Sequence, residues 1–495
     1  MSVTAAQRGS WRDTPGAAGS MLARIEPATA LVALLTAGAF VLRLTQMHQS
    51  LYGDEVLFTY PEVVGRSLGS TIHAVHASLE NAPPLFFMLA WASAKLGDPT
   101  VWIRLPSLVL GVATIPLIFI LGRETIGRTP GLIAAAILAA SPFSTYYGIE
   151  ARPYATMAFF LALSTLALVK AVRTSGRGWW LLYALAAAAA AYSHYTSVFV
   201  LAAQAGWSLW VRRDRLREPL LANLLIVLVY IPWLPYVRSR ELVIGVLTPL
   251  NAHGVLVDLT RPIAGYPYAS PHAIPTIAGL AVVGAFALLG VFAVAWRARG
   301  GWLPRVDRQN GAVLIVALAI ATPVGALIYS ILSTDIWEAR ALYASVPFDA
   351  LVLAWLLAAL PRPVAFAGVA AVLGVLAFAT ARAVSPSWAR PPFRAAAQYL
   401  DKVAAPADPV VLYPSFLGLT IDIPTHFHSH HVWLRSPNAQ WPQHLSDARV
   451  YVVMDDNMDR ALRIPTPHPS GFKLVSRRHY AGLLPFAILG YQRPG

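Results

Sequence analysis

The sequence predicts a polytopic α-helical membrane protein with about eleven transmembrane helices and a small C-terminal α/β domain outside the membrane. Only 13% of its 495 residues are charged, whereas an average soluble domain carries about 25%. Hydrophobic residues make up 57%, and long runs almost free of charge recur up to residue 382. So few charges could not cover the surface of a soluble protein, although the length alone would allow about three soluble domains.

Eleven apolar runs approach the length of about 20 residues that a helix needs to cross a bilayer. They lie at 27–46, 104–121, 131–148, 154–172, 179–196, 197–211, 219–236, 274–296, 311–331, 344–360 and 362–382. The polar residues 1–26 lack the compact pattern of a signal peptide, so we expect a cytoplasmic segment there. The apolar stretch 84–97 is short for a span, and we expect it to lie at the membrane interface.

The distribution of lysine and arginine predicts the orientation, because these residues concentrate in cytoplasmic loops. With a cytoplasmic N-terminus, the inner segments carry 17 Lys and Arg, and the outer segments before the tail carry 8 over a longer total length. We therefore expect a plasma-membrane protein whose first outer loop, 47–103, and whose tail lie outside the cell. The formal net charge of +14 is attributed to topology, and nucleic acid is not an expected partner.

The composition changes after the last apolar run, and nothing in the tail is long enough to span. Residues 390–404 open with prolines and predict a helix, whereas 409–415 and 449–456 predict buried strands that end at turns. Residues 472–493 predict a terminal strand or hairpin. Helices that alternate with strands indicate a small α/β domain over 383–495.

Two adjacent carboxylates, Asp54 and Glu55, follow the first span closely. One interpretation is a solvated loop with acids on the outer side. The other is a general base, because a carboxylate within hydrogen-bond reach removes the proton of a hydroxyl group as that group attacks. Burial between membrane and protein would raise the pKa of such a carboxyl group toward the working range.

Isolated arginines begin or end otherwise uncharged spans at the outer surface, namely Arg104, Arg152 and Arg340. Each could extend its side chain to the surface and pair with a local acid, Arg152 with Glu150 and Arg340 with Glu338. Three arginines on one face, beside an acidic loop, instead favour a shared anionic ligand. Arginine binds phosphate through two parallel hydrogen bonds and keeps its charge near lipid.

Histidines supply two further signals. His194 and Tyr195 close an alanine-rich span on the outer side, either as interfacial residues or as donors to a phosphate or sugar. In the tail, 425–431 alternates histidines, which suits zinc but is more often an exposed loop. The absence of cysteine excludes disulfides, thiolate metal sites and a cysteine nucleophile. We expect neither a metal site nor a cofactor.

Several motifs follow one another along the first part of the chain. They are Gly53-Asp54-Glu55, Pro83-Pro84-Leu85-Phe86-Phe87, Arg104-Leu105-Pro106-Ser107, Ser141-Pro142, Tyr146-Tyr147 and Glu150-Ala151-Arg152-Pro153-Tyr154. This order resembles the polyprenyl-phosphate-sugar glycosyltransferases of the GT-C fold. That family includes protein O-mannosyltransferases, the lipid A aminoarabinose transferase, and actinobacterial mannosyl- and arabinosyltransferases. The resemblance covers 50–200 well and 335–350 loosely, and it implies that 27–382 is a GT-C catalytic domain.

For function, the resemblance implies transfer at the outer face of a sugar, taken as mannose, from a polyprenyl phosphate sugar to a hydroxyl of a glycolipid, polysaccharide or protein. Asp54 is the implied base, while Glu55 holds the acceptor or orients Asp54, and these two roles are exchangeable. Arg104 and Arg340 neutralise the leaving phosphate, with Arg152 in a lesser role. Because phosphate leaves readily, one base suffices and the anomeric configuration inverts, unlike the two-carboxylate chemistry of glycosidases.

The sequence departs from the family pattern before the Pro-Pro pair, where Ala82 replaces a common histidine. His76 and Asn81 lie upstream, and we expect them, with Glu150 and Tyr154, to contact the acceptor or the sugar. The late segment departs as well, because 340–343 reads Arg-Ala-Leu-Tyr where the family usually has Arg-Tyr. The resemblance therefore supports the reaction class better than the substrate.

Three alternatives remain beside the mannosyltransferase. An arabinosyltransferase that uses decaprenyl phosphate arabinose belongs to the same reaction class. A flippase or transporter for lipid-linked sugars would need polar groups along a path at mid-membrane, whereas the ionisable groups here, apart from Asp349, collect at one surface. A scaffold that binds partners through its tail would leave the arrangement of acids and arginines unexplained.

Overall fold

The computed structural model describes residues 26–78, 82–237, 250–299, 311–406, 408–413, 422–429, 431–435, 449–455, 466 and 470–494. The predicted site residue Asn81 lies outside these ranges, as do His430 in the histidine segment and the predicted segment 1–25.

Helices make up most of the described chain as far as Ala383. In chain order they are α1 Pro27–Gln46, α2 Tyr60–Val63, α3 Leu68–Ala77, α4 Leu85–Ser93, α5 Pro99–Trp102, α6 Leu105–Thr125, α7 Arg128–Ala140, α8 Pro142–Tyr147, α9 Tyr154–Thr174, α10 Arg177–Ala191, α11 Ser197–Val211, α12 Arg217–Tyr230, α13 Ala252–Ala264, α14 Ile277–Arg299, α15 Gly311–Leu332, α16 Val346–Ala358, α17 Arg362–Ala383 and α18 Phe393–Val403. A π-helical turn spans Glu55–Thr59, and 3₁₀ turns span Ala94–Leu96, Ile231–Tyr236, Ala339–Ser345 and Pro424–His426.

Eight described helices are long and apolar enough to cross a membrane. They are Pro27–Gln46, Pro99–Thr125, Tyr154–Thr174, Arg217–Tyr236, Ile277–Arg299, Gly311–Leu332, Ala339–Ala358 and Arg362–Ala383. The other three predicted spans contain the shorter helices α7, α10 and α11. The prediction of a multi-pass helical membrane protein is confirmed, and every predicted span contains a helix. The stretch 84–97 forms α4 and a 3₁₀ turn, which together are shorter than a span.

Small residues let neighbouring helices approach closely. A Cβ atom added at Gly122 in α6 would lie 2.5 Å from the Cα of Gly131 in α7. Only glycine permits this backbone contact, which is a common way for membrane helices to gain van der Waals contact in the absence of a hydrophobic driving force. The two helices are thereby held together near the end of the bundle that is opposite to Asp54.

The tail forms a sheet in the described residues, with strands β1 Pro409–Leu412, β2 Val432–Arg435, β3 Arg449–Asp455, β4 Lys473–Tyr480 and β5 Phe486–Gln492. The strand order is β2-β1-β3-β5-β4, with β2, β1 and β3 parallel and the last two pairings antiparallel. Helix α18 buries Phe393 and Leu400 against this sheet. The predicted helix, both strands and the terminal hairpin are confirmed, whereas the four-residue β2 was not predicted.

Candidate active site

The site is built on the acidic loop, defined here as residues 47–55, which follows α1. Gly53 has a φ of +59°, a left-handed conformation that costs glycine little because it has no Cβ atom. The chain turns at this position and enters the π-helical turn that starts at Glu55. Asp54 and Glu55 consequently lie in different surroundings. The Asp54 side chain is 21% exposed, whereas that of Glu55 is 0% exposed.

Glu55 is bound on both oxygens by Arg104, the residue immediately before α6. Arg104 Nε donates to Glu55 Oε1 at 2.9 Å, and Nη2 donates to Oε2 at 2.7 Å. The remaining N–H groups of Arg104 donate to the carbonyl oxygens of Met47, Gln49 and Ser50. All five guanidinium N–H groups therefore have partners inside the protein. The prediction that Arg104 binds a donor phosphate does not fit this geometry, because no N–H group remains for a ligand.

A second arginine, Arg390, holds Glu55 from the segment between α17 and α18. Its Nη1 donates to Glu55 Oε2, and its guanidinium lies 4.9 Å from the ring centre of Tyr146. The backbone N–H of Arg390 donates to Gln49 Oε1 at 3.3 Å, and that of Arg394 donates to Ser50 Oγ at 3.0 Å. The start of the tail is thus bound directly to the acidic loop.

Sequence reasoning missed Arg390. The only available signal was a single arginine just after the last span and before two prolines.

These contacts keep Glu55 ionised. Burial by itself would raise the pKa of this carboxyl group, but Arg104 and Arg390, together with the backbone N–H of Ala151 at 2.7 Å, outweigh burial and lower the pKa to about 2. The backbone N–H of Tyr52 also donates to Oε2, at 3.2 Å. A carboxylate that is fully buried and bound in this way cannot contact an acceptor, so the predicted role of holding the acceptor does not fit Glu55.

Asp54 is paired with arginines and is partly exposed beside the buried Glu150 and Tyr154, and the region between these residues is called the recess here. Arg340 Nη1 donates to Asp54 Oδ2, and Arg152 Nη2 lies 3.9 Å from the same oxygen. Arg340 also donates from Nε to Glu338 at 2.6 Å, so the predicted local pair of these two residues forms. Asp54 Oδ1 has no hydrogen bond with any residue in the described part of the chain. One carboxylate oxygen is therefore oriented by arginine while the other is left for a ligand.

Glu150 lies at the back of the same recess and is buried. Tyr146 donates to Glu150 Oε1 at 3.4 Å, and Oε2 has no partner in the described residues. Burial raises the pKa of Glu150 to about 8, although Arg390 opposes this increase. At neutral pH Glu150 is mainly protonated, so it can donate a hydrogen bond.

Aromatic rings line the recess around these charged groups. Tyr154 packs 4.8 Å from Tyr147 and 5.2 Å from His194, measured between ring centres. The backbone N–H of Thr196 donates to His194 Nδ1 at 3.2 Å, which leaves the ring proton on Nε2. His194 is therefore a neutral hydrogen-bond donor.

The remaining predicted residues belong to a row of aromatic side chains that extends from this recess. It is called the aromatic row here and consists of Tyr195, Trp233, His76 and Tyr236. Trp233 donates to the hydroxyl of Tyr195 at 3.3 Å, and its ring centre is 6.5 Å from that of His76. His76 also packs 4.2 Å from Tyr236. The predicted residues thus form two groups. Asp54, Arg152 and Arg340 are joined directly, whereas His76 and Tyr195 lie along the aromatic row.

No group of three or more His, Asp or Glu residues is placed to hold a metal ion in the described part of the chain. In the tail, His431 Nε2 is 2.8 Å from Asp401 Oδ1, and the backbone N–H of His428 donates to the other oxygen of Asp401 at 2.9 Å. His428 and His431 are therefore used in local contacts within the tail.

Comparisons with known proteins identify similar sequences and similar folds. Residues 81–236 match the family model described as dolichyl-phosphate-mannose-protein mannosyltransferase. The chain is 28% identical over 162 residues to YkcB of Bacillus subtilis (strain 168), a protein whose name describes it as a mannosyltransferase. That match covers 31% of this chain and 22% of the relative, so the compared part is about a fifth of the relative's length.

Two solved structures have similar folds. ArnT from Cupriavidus metallidurans bound to undecaprenyl phosphate matches with a TM-score of 0.53 at 14% identity, over 93% of this chain and 98% of that one. The Archaeoglobus fulgidus oligosaccharyltransferase tethered with an acceptor peptide matches with a TM-score of 0.50 at 13% identity, over 88% and 70% of the two chains. In sequence over 81–236, and in fold over most of its length, the chain is similar to the GT-C glycosyltransferases, as its motifs predicted.

Proposed function

We propose that the protein is a membrane glycosyltransferase that moves a sugar from a polyprenyl phosphate sugar to a hydroxyl group of its acceptor. The observation that carries this proposal is the pair of Asp54 and Arg340. A partly exposed carboxylate with one free oxygen is suited to accept a proton, and an adjacent arginine is suited to bind phosphate. The fold similarity to ArnT, which has been solved with undecaprenyl phosphate bound, supports a lipid phosphate as the leaving group.

In the proposed reaction, the acceptor hydroxyl donates a hydrogen bond to Asp54 Oδ1. Its oxygen attacks the anomeric carbon, and the bond between that carbon and the phosphate oxygen breaks. The hydroxyl proton moves to Asp54, and the electron pair of the broken bond leaves with the polyprenyl phosphate. Attack from the face opposite to the leaving group inverts the anomeric configuration. No second carboxylic acid is needed, because phosphate does not require protonation to leave.

The leaving phosphate is assigned to Arg340, with Arg152 and the Nε2–H group of His194 as further donors. This assignment differs from the sequence expectation, which also included Arg104 and Tyr195. Arg104 and Arg390 instead act as positioning residues, because they hold Glu55 and through it the loop that carries Asp54. We assign Tyr154 and the protonated Glu150 to contact with the sugar, and His76 and Tyr195 to contact with the acceptor along the aromatic row.

For the sugar we retain mannose, because both the matching family model and YkcB carry mannosyltransferase in their descriptions. The competing sugar is arabinose on decaprenyl phosphate. Labelled decaprenyl phosphate mannose and decaprenyl phosphate arabinose, offered in turn to the purified protein in detergent with a total glycolipid extract as acceptor, distinguish the two. Product from either donor in detergent supports an enzyme, whereas transport that requires sealed vesicles and yields no product would favour a flippase.

We further propose that the site and the tail face the outside of the cell. The support is the excess of Lys and Arg in the loops at the opposite end, including 212–217, because such residues concentrate in cytoplasmic loops. Because the chain has no cysteine, an Asp214→Cys variant carries a single thiol. An impermeant maleimide added to intact cells should leave this thiol unlabelled, while Ala481→Cys, at an exposed position of the tail, should be labelled. The reverse pattern would invert the orientation.

A further inference from the structure

A second recess lies at the end of the bundle opposite to Asp54. Helix α16 follows the turn that carries Arg340 and ends at Ala358, and Ala358 lines this cavity of about 580 Å³. The walls come from α7, α14, α16 and α17, and apart from its charged rim they are mostly apolar, with Ile133, Trp355 and Phe366 among them. Phe366 is 80% exposed, and because it lies in a helix long and apolar enough to span a membrane, we infer that this side chain faces lipid.

Two arginines, Arg297 from the end of α14 and Arg362 from the start of α17, line the cavity, and no acidic residue among those that the structure describes does so. Neither arginine makes an ion pair with a carboxylate in the described part of the chain. The hydroxyl-bearing Thr129, in the first turn of α7, also contributes to the lining. Helices α7 and α17 begin here, whereas α14 and α16 end here, so their helix dipoles oppose one another and the positive charge comes from the two arginines. The cavity therefore combines a cationic rim with an apolar interior that opens toward the bilayer.

We propose that this cavity binds an anionic glycerophospholipid, with the phosphate headgroup between Arg297 and Arg362 and an acyl chain against Ile133 and Phe366. Charge complementarity and exposure to lipid select this occupant. In the orientation proposed above this end of the bundle is cytoplasmic, and basic pockets between transmembrane helices on that side are suited to lipid headgroups. A peptide would have to enter the bilayer to reach the apolar wall. The site is independent of the proposed transfer reaction, since it lies at the other end of the bundle.

The test counts lipids that stay bound to the purified protein. The protein is mixed with phosphatidylglycerol or with phosphatidylcholine of the same acyl chains, and bound lipid is measured by native mass spectrometry. We expect phosphatidylglycerol to bind in preference to phosphatidylcholine. The double variant Arg297→Gln/Arg362→Gln should lose about tenfold or more in phosphatidylglycerol affinity. Each basic side chain near an anionic headgroup adds to the electrostatic free energy of binding, and this variant removes two of them.

A charge-matched control is Arg177→Gln/Arg213→Gln. It removes two exposed arginines at the same end of the bundle, outside the cavity, and should bind phosphatidylglycerol as the unaltered protein does. Ala365→Trp fills the cavity without changing charge and should also abolish the preferential binding. Equal retention of both lipids by the unaltered protein would overturn the proposal. So would equal losses in the two double variants, which would indicate only a general attraction to anionic lipid.

Discussion

Asp54 and Glu55 are neighbours in sequence and differ in almost every physical respect. Asp54 keeps one oxygen without a described partner at the edge of an aromatic recess. Glu55 is fully buried and receives hydrogen bonds from two arginines and two backbone N–H groups. The comparison teaches that of two adjacent acids, one can be available for reaction while the other stabilises the loop that carries both. The buried member holds the loop, and the exposed member is left to react.

The same division applies to the arginines. Arg104 and Arg340 were both expected at a leaving phosphate. In the structure, Arg104 uses all its N–H groups within the protein, whereas Arg340 is 27% exposed and lies beside Asp54. The chemical type of a residue is therefore a weaker guide to its role than the number of partners that it already has.

Asp54→Asn should give the largest effect on turnover, and it tests whether Asp54 is the reactive member of the pair. Asparagine keeps the size of aspartate but cannot accept the acceptor proton, so turnover should fall by about 10²–10⁴-fold with donor binding retained. Single-turnover transfer and donor binding in detergent measure the two quantities. Asp98→Asn, at a 44% exposed acid of the same outer loop, is the control and should keep its turnover. Near-normal turnover in Asp54→Asn would remove Asp54 as the base.

Glu55→Gln should act mainly on stability. It leaves Arg104 and Arg390 buried without their counter-charge, and breaking a buried ion pair costs about 3–5 kcal/mol. Thermal unfolding in detergent should show a clear loss, and the fraction of protein that stays folded should retain measurable transfer. A Glu55→Gln protein of normal stability but without transfer would contradict this division and assign the base to Glu55.

Arg340→Gln should weaken donor binding, because it removes a charge-assisted contact worth about 1.5–3 kcal/mol, or about 10–100-fold in affinity. Arg340→Lys should recover part of this, since it keeps the charge but loses the planar fork. Arg104→Gln should instead destabilise the fold more than it changes donor affinity. Binding of labelled decaprenyl phosphate, with unfolding temperatures in parallel, checks both statements. A variant at Arg104 that stays stable but loses donor binding would restore Arg104 to the site.

Arg390→Gln should produce the smallest effect, a shift in acid sensitivity. The pKa of Glu55 is lowered to about 2 from an ordinary 4.5. Its ionised form therefore contributes stability that is complete above about pH 4.5 and is lost as the pH falls toward 2. Without Arg390 the pKa of Glu55 moves back toward 4.5, so this contribution should be smaller and its loss should be complete at a higher pH. Arg390→Lys should preserve the original profile.

The measurement is the unfolding temperature between pH 3 and pH 7 for the unaltered protein and both variants. Identical profiles for all three proteins would mean that Arg390 does not support Glu55. Arg478→Gln offers a control, because its guanidinium lies over the ring of Tyr399 and makes no ion pair with a carboxylate in the described part of the chain. That variant should leave the fall of the unfolding temperature at low pH unchanged.

The sequence by itself determined the helical membrane architecture, the division between bundle and tail, and the location of the acidic loop. These features depend on properties that are local in the chain. The length and charge of an apolar run decide whether it can span a bilayer, and short apolar runs between turn residues decide the strands of the tail. The main strands β3 and β5 could be located in this way. The short β2 could not, because four residues carry little periodic signal.

Only the tertiary structure decided which acid and which arginines are available for chemistry. Glu55 meets Arg104 across 49 residues and Arg390 across 335, and no local pattern encodes such contacts. Burial in a low-dielectric interior makes those pairs obligatory, because an unpaired charge there would be very costly. The packing that buries Glu55 completely leaves Asp54 partly exposed at the edge of the recess. The sequence therefore predicts where the site lies in the chain, and tertiary packing determines which role each of its residues can take.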